Sequence, residues 1–150
     1  MTIGIGVLAT DDRAPKKPNT VILMADTMGS YGDVDSHQRL HKTFNCPDVD
    51  LYATAADRID RAAALIPMIS SHVGIIPKQD RSYGNILGAI AMACFHFKGD
   101  MFRIEVLPKL RISPESFERL KANVPEHVDA EIQKEWRKFH IGCELIIGGL

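Results

Sequence analysis

Cysteine is scarce in this sequence: three residues, Cys46, Cys94 and Cys143, give an odd number with no C-x-x-C spacing. This pattern argues against a disulfide scaffold and a structural zinc site, so we expect a reduced, cytoplasmic setting. The longest apolar run, residues 86–97, includes His96 and is shorter than the ~20 residues that span a bilayer. The N-terminus shows no basic region followed by an apolar stretch, so no secretory signal is predicted.

An excess of positive charge is also missing. The 18 Lys and Arg residues nearly balance the 19 Asp and Glu residues, for a formal net charge of −1. Such a balance lacks the broad electrostatic grip on phosphate that nucleic-acid binding uses, so we expect no nucleic-acid partner and no membrane partner. With 45% apolar and 25% charged residues, the 150-residue chain has the composition of one globular domain, residues 1–150.

The first half of the sequence favours strands. Residues 2–9 and 20–26 are apolar runs of strand length separated by a charged, proline-containing loop, which predicts a hairpin. Residues 29–35 have the composition of a loop. Residues 39–45 and 49–53 are predicted as short strands around a Pro-Asp turn.

The second half favours helices. Apolar residues recur every three or four positions over residues 55–69, where Pro67 is expected to end or kink the helix near Ile66. Residues 82–97 predict a largely buried helix with Gly99 as its C-cap. Residues 102–107 are predicted as a strand.

Three further elements complete the predicted order of strands, helices and a final strand. Ser113 is expected to cap a helix that runs to about residue 123, because Ser caps helices and Pro suits the first turn. Residues 125–139 form a further amphipathic helix, and residues 143–147 form an apolar strand. This order indicates the α+β class.

Thr2 is the residue with the clearest chemical potential. Removal of Met1 gives Thr2 a free α-amine, whose ordinary pKa of about 7.7–8.0 leaves much of it neutral near pH 7. That amine can accept the proton of the Thr2 hydroxyl and so activate it as a nucleophile. A neighbouring Lys ammonium disfavours a second positive charge on the amine, and an Asp keeps the Lys charged.

Four sequence segments resemble the proteasome β-subunit family, including its bacterial relatives, which are N-terminal nucleophile (Ntn) hydrolases. They are the opening segment TIGIG (residues 2–6), the strand VILMADT (21–27), Lys42 at sixteen residues after Asp26, and the turn ATAAD (53–57). The resemblance covers about residues 2–70 and, more loosely, 143–149.

The resemblance implies a threonine-type peptidase. In it, Thr2 is the nucleophile, Lys42 tunes its amine, Asp26 orients Lys42, and the Ala53 backbone N–H donates to the oxyanion. Ser30 then lies where the family pairs with an extended substrate.

The same resemblance assigns Leu51 and Ala55 to the pocket for the residue before the cut bond. It implies a peptide or unfolded protein as substrate, a homo-oligomeric ring or stacked assembly, and an ATP-dependent unfoldase as partner. No metal or other cofactor is required.

The implied fold is an αββα sandwich of antiparallel sheets. The sequence departs from the family in several respects, of which three concern the proposed site and fold. Ala53 replaces a Gly, residues 98–140 have no counterpart and resemble an inserted helical segment, and the second half of the sandwich has no equivalent before Leu150. An alternative function is a non-catalytic structural or assembly subunit with the same fold. A hydrolase of a small non-peptide amide is a third. His37 and His41 are four residues apart, but no third metal ligand accompanies them.

Overall fold

The computed structural model describes residues 4–10, 18–25, 28–31, 34–39, 43–113, 115–117 and 125–149. Its strands are β1 (Gly4–Thr10), β2 (Pro18–Ala25), β3 (Met28–Tyr31), β4 (Val34–Arg39), β5 (Thr43–Cys46), β6 (Leu51–Asp57) and β7 (Cys143–Gly149). Its longer helices are α1 (Ile59–Gly74), α2 (Tyr83–Glu105) and α3 (Glu126–Lys138). Short 3₁₀ turns span Pro47–Val49, Lys78–Asp80 and Leu107–Leu110. The protein is therefore mixed α+β, as the order of predicted elements indicates.

Two compact units divide the chain, Met1–Ile90 with Gly142–Leu150, and Ala91–Ile141. In the first unit, β1 and β2 form the predicted antiparallel hairpin, and β3 pairs with β4. A three-stranded antiparallel sheet has the order β5-β6-β7, so β6 lies in the middle. The β1-β2 hairpin contacts all three strands of this sheet.

Helix α1 packs on one face of the three-stranded sheet. Strand residues alternate between faces, and Leu51, Ala53 and Ala55 of β6 are all buried. Cys46, opposite Leu51 in β5, shares this face and hydrogen-bonds Ser70 of α1, which identifies the face as the one toward the helix. The helix contributes a buried stripe at helical spacing, consisting of Ala62, Leu65, Ile66, Ile69 and Val73.

Of the two effects expected of Pro67, an end or a kink of α1 near Ile66, the structure excludes the end. The helix continues through Pro67 to Gly74. A proline in a helix interior costs about 3 kcal/mol, because one hydrogen bond is lost and the ring crowds the preceding turn. Ile69 and Val73, both beyond the proline, are almost completely buried, and burying such side chains contributes about 1.5–3 kcal/mol each. Packing against the sheet therefore offsets the local penalty.

The predicted start of α1 at residue 55 is wrong, because Ala55 lies in β6 and the helix begins at Ile59. Alanine fits both periods, and the pairing of Ala55 with Leu145 of β7 decides for the strand. Residues 28–31 and 34–39 pair as a hairpin where a loop over 29–35 is predicted. Small and polar residues are typical of loops, so the composition of this segment favours a loop. Antiparallel pairing of the two backbones forms the strands despite this composition.

The second unit has its own hydrophobic core. Phe102, Val106, Leu107 and Ile132 are buried there. The predicted strand over 102–107 is wrong, and so is the predicted C-cap at Gly99, because α2 continues to Glu105. Phe102 and Val106 are four residues apart, so helical spacing brings both into this core.

Aromatic rings surround this core. The Trp136 ring of α3 meets Phe102 edge-on with centroids 5.2 Å apart, and Phe102 also meets Phe139 at 5.8 Å. The Lys98 ammonium lies 4.7 Å from the centroid of the Trp136 ring. Helix α3 agrees with the predicted amphipathic helix over 125–139, whereas the insertion of residues 98–140 into the family's fold stays a prediction.

The Ser113 cap is confirmed. The Ser116 backbone N–H donates to the Ser113 hydroxyl oxygen at 3.0 Å, the hydrogen bond expected of an N-cap. Residues 115–117 are helical, and Pro114 and residues 118–124 of the predicted helix lie outside the described part. Over the described ranges, no helix has the length and apolar character needed to cross a membrane.

Candidate functional site

Three of the four predicted catalytic residues, Thr2, Asp26 and Lys42, lie outside the described residues. Their sequence neighbours are described. Gly4, two residues after Thr2, pairs with Ala25, which directly precedes Asp26. The end of the β1-β2 hairpin at Gly4 and Ala25 is thus close in sequence to both Thr2 and Asp26.

Strand β5 begins directly after Lys42. Its first residue, Thr43, pairs with Thr54 in β6, and Thr54 follows Ala53 in sequence. Thr43, the residue after the predicted catalytic lysine, therefore lies opposite Thr54, the residue after the predicted oxyanion donor.

Ala53 lies in the middle of the central strand. It pairs with Phe44 of β5 on one side and with Ile147 of β7 on the other. Its side chain is 3% exposed. A backbone N–H in a central strand is directed toward a neighbouring strand, where it takes part in the ladder. To donate to a substrate oxyanion, the Ala53 N–H would have to give up its hydrogen bond to the neighbouring strand.

The three predicted substrate-binding residues are divided between two strands. Ser30 lies in β3, where its backbone pairs with Asp35. Leu51 and Ala55 lie in β6, four residues apart and on the same face, and both are buried on the side toward α1. The structure therefore places Leu51 and Ala55 in the same layer between the sheet and α1, about 13 Å apart along the strand and both closed off from solvent.

Cys46 and Ser70 lie in the same layer. Burial raises the pKa of the Cys46 thiol, while the hydrogen bond from the Ser70 hydroxyl opposes this effect and Asp48 adds to it. A buried thiol of raised pKa is a poor nucleophile. Cys46 therefore behaves as part of the core rather than as a reactive thiol.

Thr54 is a polar residue that the sequence interpretation did not single out. Its side chain is 1% exposed, and none of the described groups hydrogen-bonds its Oγ1. Because neighbouring strand residues face opposite sides, Thr54 lies on the face away from α1. No signal in the sequence identifies it, since threonine is equally common on exposed strand faces.

Charged residues gather where β6 leads into α1. Asp57 has a left-handed φ of 64°, and the Arg58 N–H donates to the Gly142 carbonyl at 3.0 Å. The Arg58 guanidinium donates two hydrogen bonds to the Asp60 carboxylate, at 2.9 Å and 2.6 Å, and this hydrogen bonding lowers the pKa of Asp60. The segment ATAAD, which resembles a turn of the proteasome family, is thus a strand that turns at Asp57.

Within the described part of the chain, neither a metal-binding group nor a surface hollow connects the predicted site residues. No group of three or more His, Cys, Asp and Glu residues within the described ranges is arranged to hold a metal ion. A shallow hollow on the surface of α3 is lined by Ala130, Gln133, Lys134, Arg137 and Lys138. None of the predicted site residues lines that hollow.

Comparison with protein-family models, with curated proteins and with solved structures finds no match to this chain. The resemblance to the proteasome β-subunit family thus rests on the four sequence segments alone.

Proposed function

We propose that this protein is a threonine-type peptidase subunit of the proteasome-like Ntn hydrolase kind, with Thr2 as its nucleophile after removal of Met1. The observation that carries the proposal is the register of the first hairpin, in which Gly4 is opposite Ala25. This register joins the strand that follows Thr2 to the strand that precedes Asp26, as a catalytic site assembled from the two requires.

The layers of the first unit support the proposed fold. The hairpin contacts the three strands of the sheet, and α1 packs on the face of the sheet that carries Leu51 and Ala55. An αββα sandwich of antiparallel sheets contains such a sequence of layers.

The proposed reaction needs no group from outside the chain except water. The Thr2 oxygen bonds to the substrate carbonyl carbon while its proton passes to the Thr2 α-amine. The peptide C–N bond then breaks, the leaving nitrogen takes that proton, and an ester joins the acyl group to Thr2. Water hydrolyses the ester and restores the hydroxyl. Lys42 keeps the amine neutral, and Asp26 keeps Lys42 charged and oriented.

The position of Ala53 favours a second candidate, a non-catalytic structural or assembly subunit. Ala53 is paired on both sides, so its N–H is engaged with the sheet rather than directed at an open site. Loss of one oxyanion donor typically costs about 2.7–4 kcal/mol of transition-state stabilisation. In this second function the chain keeps the fold and contributes surface to an assembly that includes peptide-cleaving or unfoldase subunits.

A covalent probe separates the two functions. Intact-mass spectrometry of the full chain is expected to show Met1 removed. Incubation with a peptide epoxyketone, which requires a hydroxyl and a free α-amine on the same residue, is then expected to label Thr2. Thr2→Ala is expected to abolish labelling and hydrolysis of small peptide amides. The matched control is Thr43→Ala, a substitution at an exposed threonine, and it should label like the wild type.

The outcomes are distinguishable. Retention of Met1 in protein from the native host contradicts the catalytic assignment outright. Removal of Met1 without labelling of the assembled protein supports the structural subunit instead. Lys42→Ala should slow labelling, whereas Lys78→Ala, at an exposed lysine outside the proposed site, should not. Equal slowing by both substitutions would show that only general surface charge matters.

A further inference from the structure

We draw no further inference here: the strongest candidate, the exposed apolar side chains Tyr83, Leu87, Met92 and Phe95 along helix α2, carries nothing because nothing in the structure shows what covers them.

Discussion

The buried hydroxyl of Thr54 gives the sharpest test of the packing described for the first unit. Thr54→Val keeps the β-branched shape of the side chain and replaces the hydroxyl by a methyl group. Because none of the described groups hydrogen-bonds the Thr54 Oγ1 and the side chain is 1% exposed, we expect this substitution to stabilise the protein.

The magnitude follows from two effects of the same sign. A buried hydroxyl without a hydrogen bond costs about 1–3 kcal/mol by mutational measurements. The added methyl group in a buried place contributes up to about 0.8 kcal/mol. Imperfect fit of the methyl group opposes both effects, so we expect a net gain of about 1–2 kcal/mol in the free energy of unfolding. For a chain of this size, that gain corresponds to a rise of roughly 2–8 °C in Tm.

Urea denaturation followed by circular dichroism measures this gain. The matched control is Thr43→Val, since Thr43 pairs with Thr54 across the sheet but its side chain is exposed. A substitution on an exposed strand position should change the free energy of unfolding by less than about 0.5 kcal/mol. A loss of stability in Thr54→Val beside a neutral Thr43→Val would show that the hydroxyl has a partner, and the reasoning would fail.

Four further substitutions test other parts of the structure by denaturation. Gly149→Ala should destabilise the first unit by about 1–3 kcal/mol, because Gly149 has a φ of +141° and an added Cβ would overlap backbone. Gly88→Ala should instead stabilise α2 by about 0.5–1 kcal/mol, because an added Cβ there meets open space. Equal effects of the two substitutions on the free energy of unfolding would contradict this reasoning. Leu65→Ala should cost about 2–5 kcal/mol, and a cost under 1 kcal/mol would show that α1 does not pack as described. Asp60→Asn should cost less than about 1 kcal/mol near neutral pH, because the ion pair with Arg58 is exposed. Since the pKa of Asp60 is lowered in the folded state, its contribution is present above the ordinary carboxyl pKa and is lost as pH falls through the lowered one, so the difference from wild type should vanish in acid.

Local patterns in the sequence predict those elements whose period is unambiguous. The apolar runs at residues 2–9 and 20–26 predict the β1-β2 hairpin, and the short strands predicted over 39–45 and 49–53 around a Pro-Asp turn overlap β5 and β6. The amphipathic pattern over 125–139 predicts α3, and Ser113 predicts its cap. In each case the signal is contained within about fifteen residues, so no distant contact is needed to interpret it.

The wrong predictions arise where two periods fit or where a distant contact outweighs a local penalty. Ala55 fits a helix and a strand equally, and its pairing with Leu145 of β7, close to the end of the sequence, decides for the strand. Pro67 disfavours helix locally, but burial of Ile69 and Val73 against the sheet carries α1 past it. Phe102 and Val106 read as strand residues until the core that they share with Ile132 is considered.

Some properties of the candidate site can likewise be inferred from the sequence, and others depend on the tertiary structure. The chemistry proposed for Thr2 comes from its position after Met1, and the roles proposed for Asp26 and Lys42 come from the resemblance of the sequence to the proteasome β-subunit family. The sequence also determines the α+β class, because the order of strands and helices follows from local periods. Only the tertiary structure decides that Ala53 is paired on both sides, that Leu51 and Ala55 are buried toward α1, and that the Thr54 hydroxyl is enclosed. These properties depend on strands far apart in the chain, and burial and pairing between such strands leave no local period in the sequence.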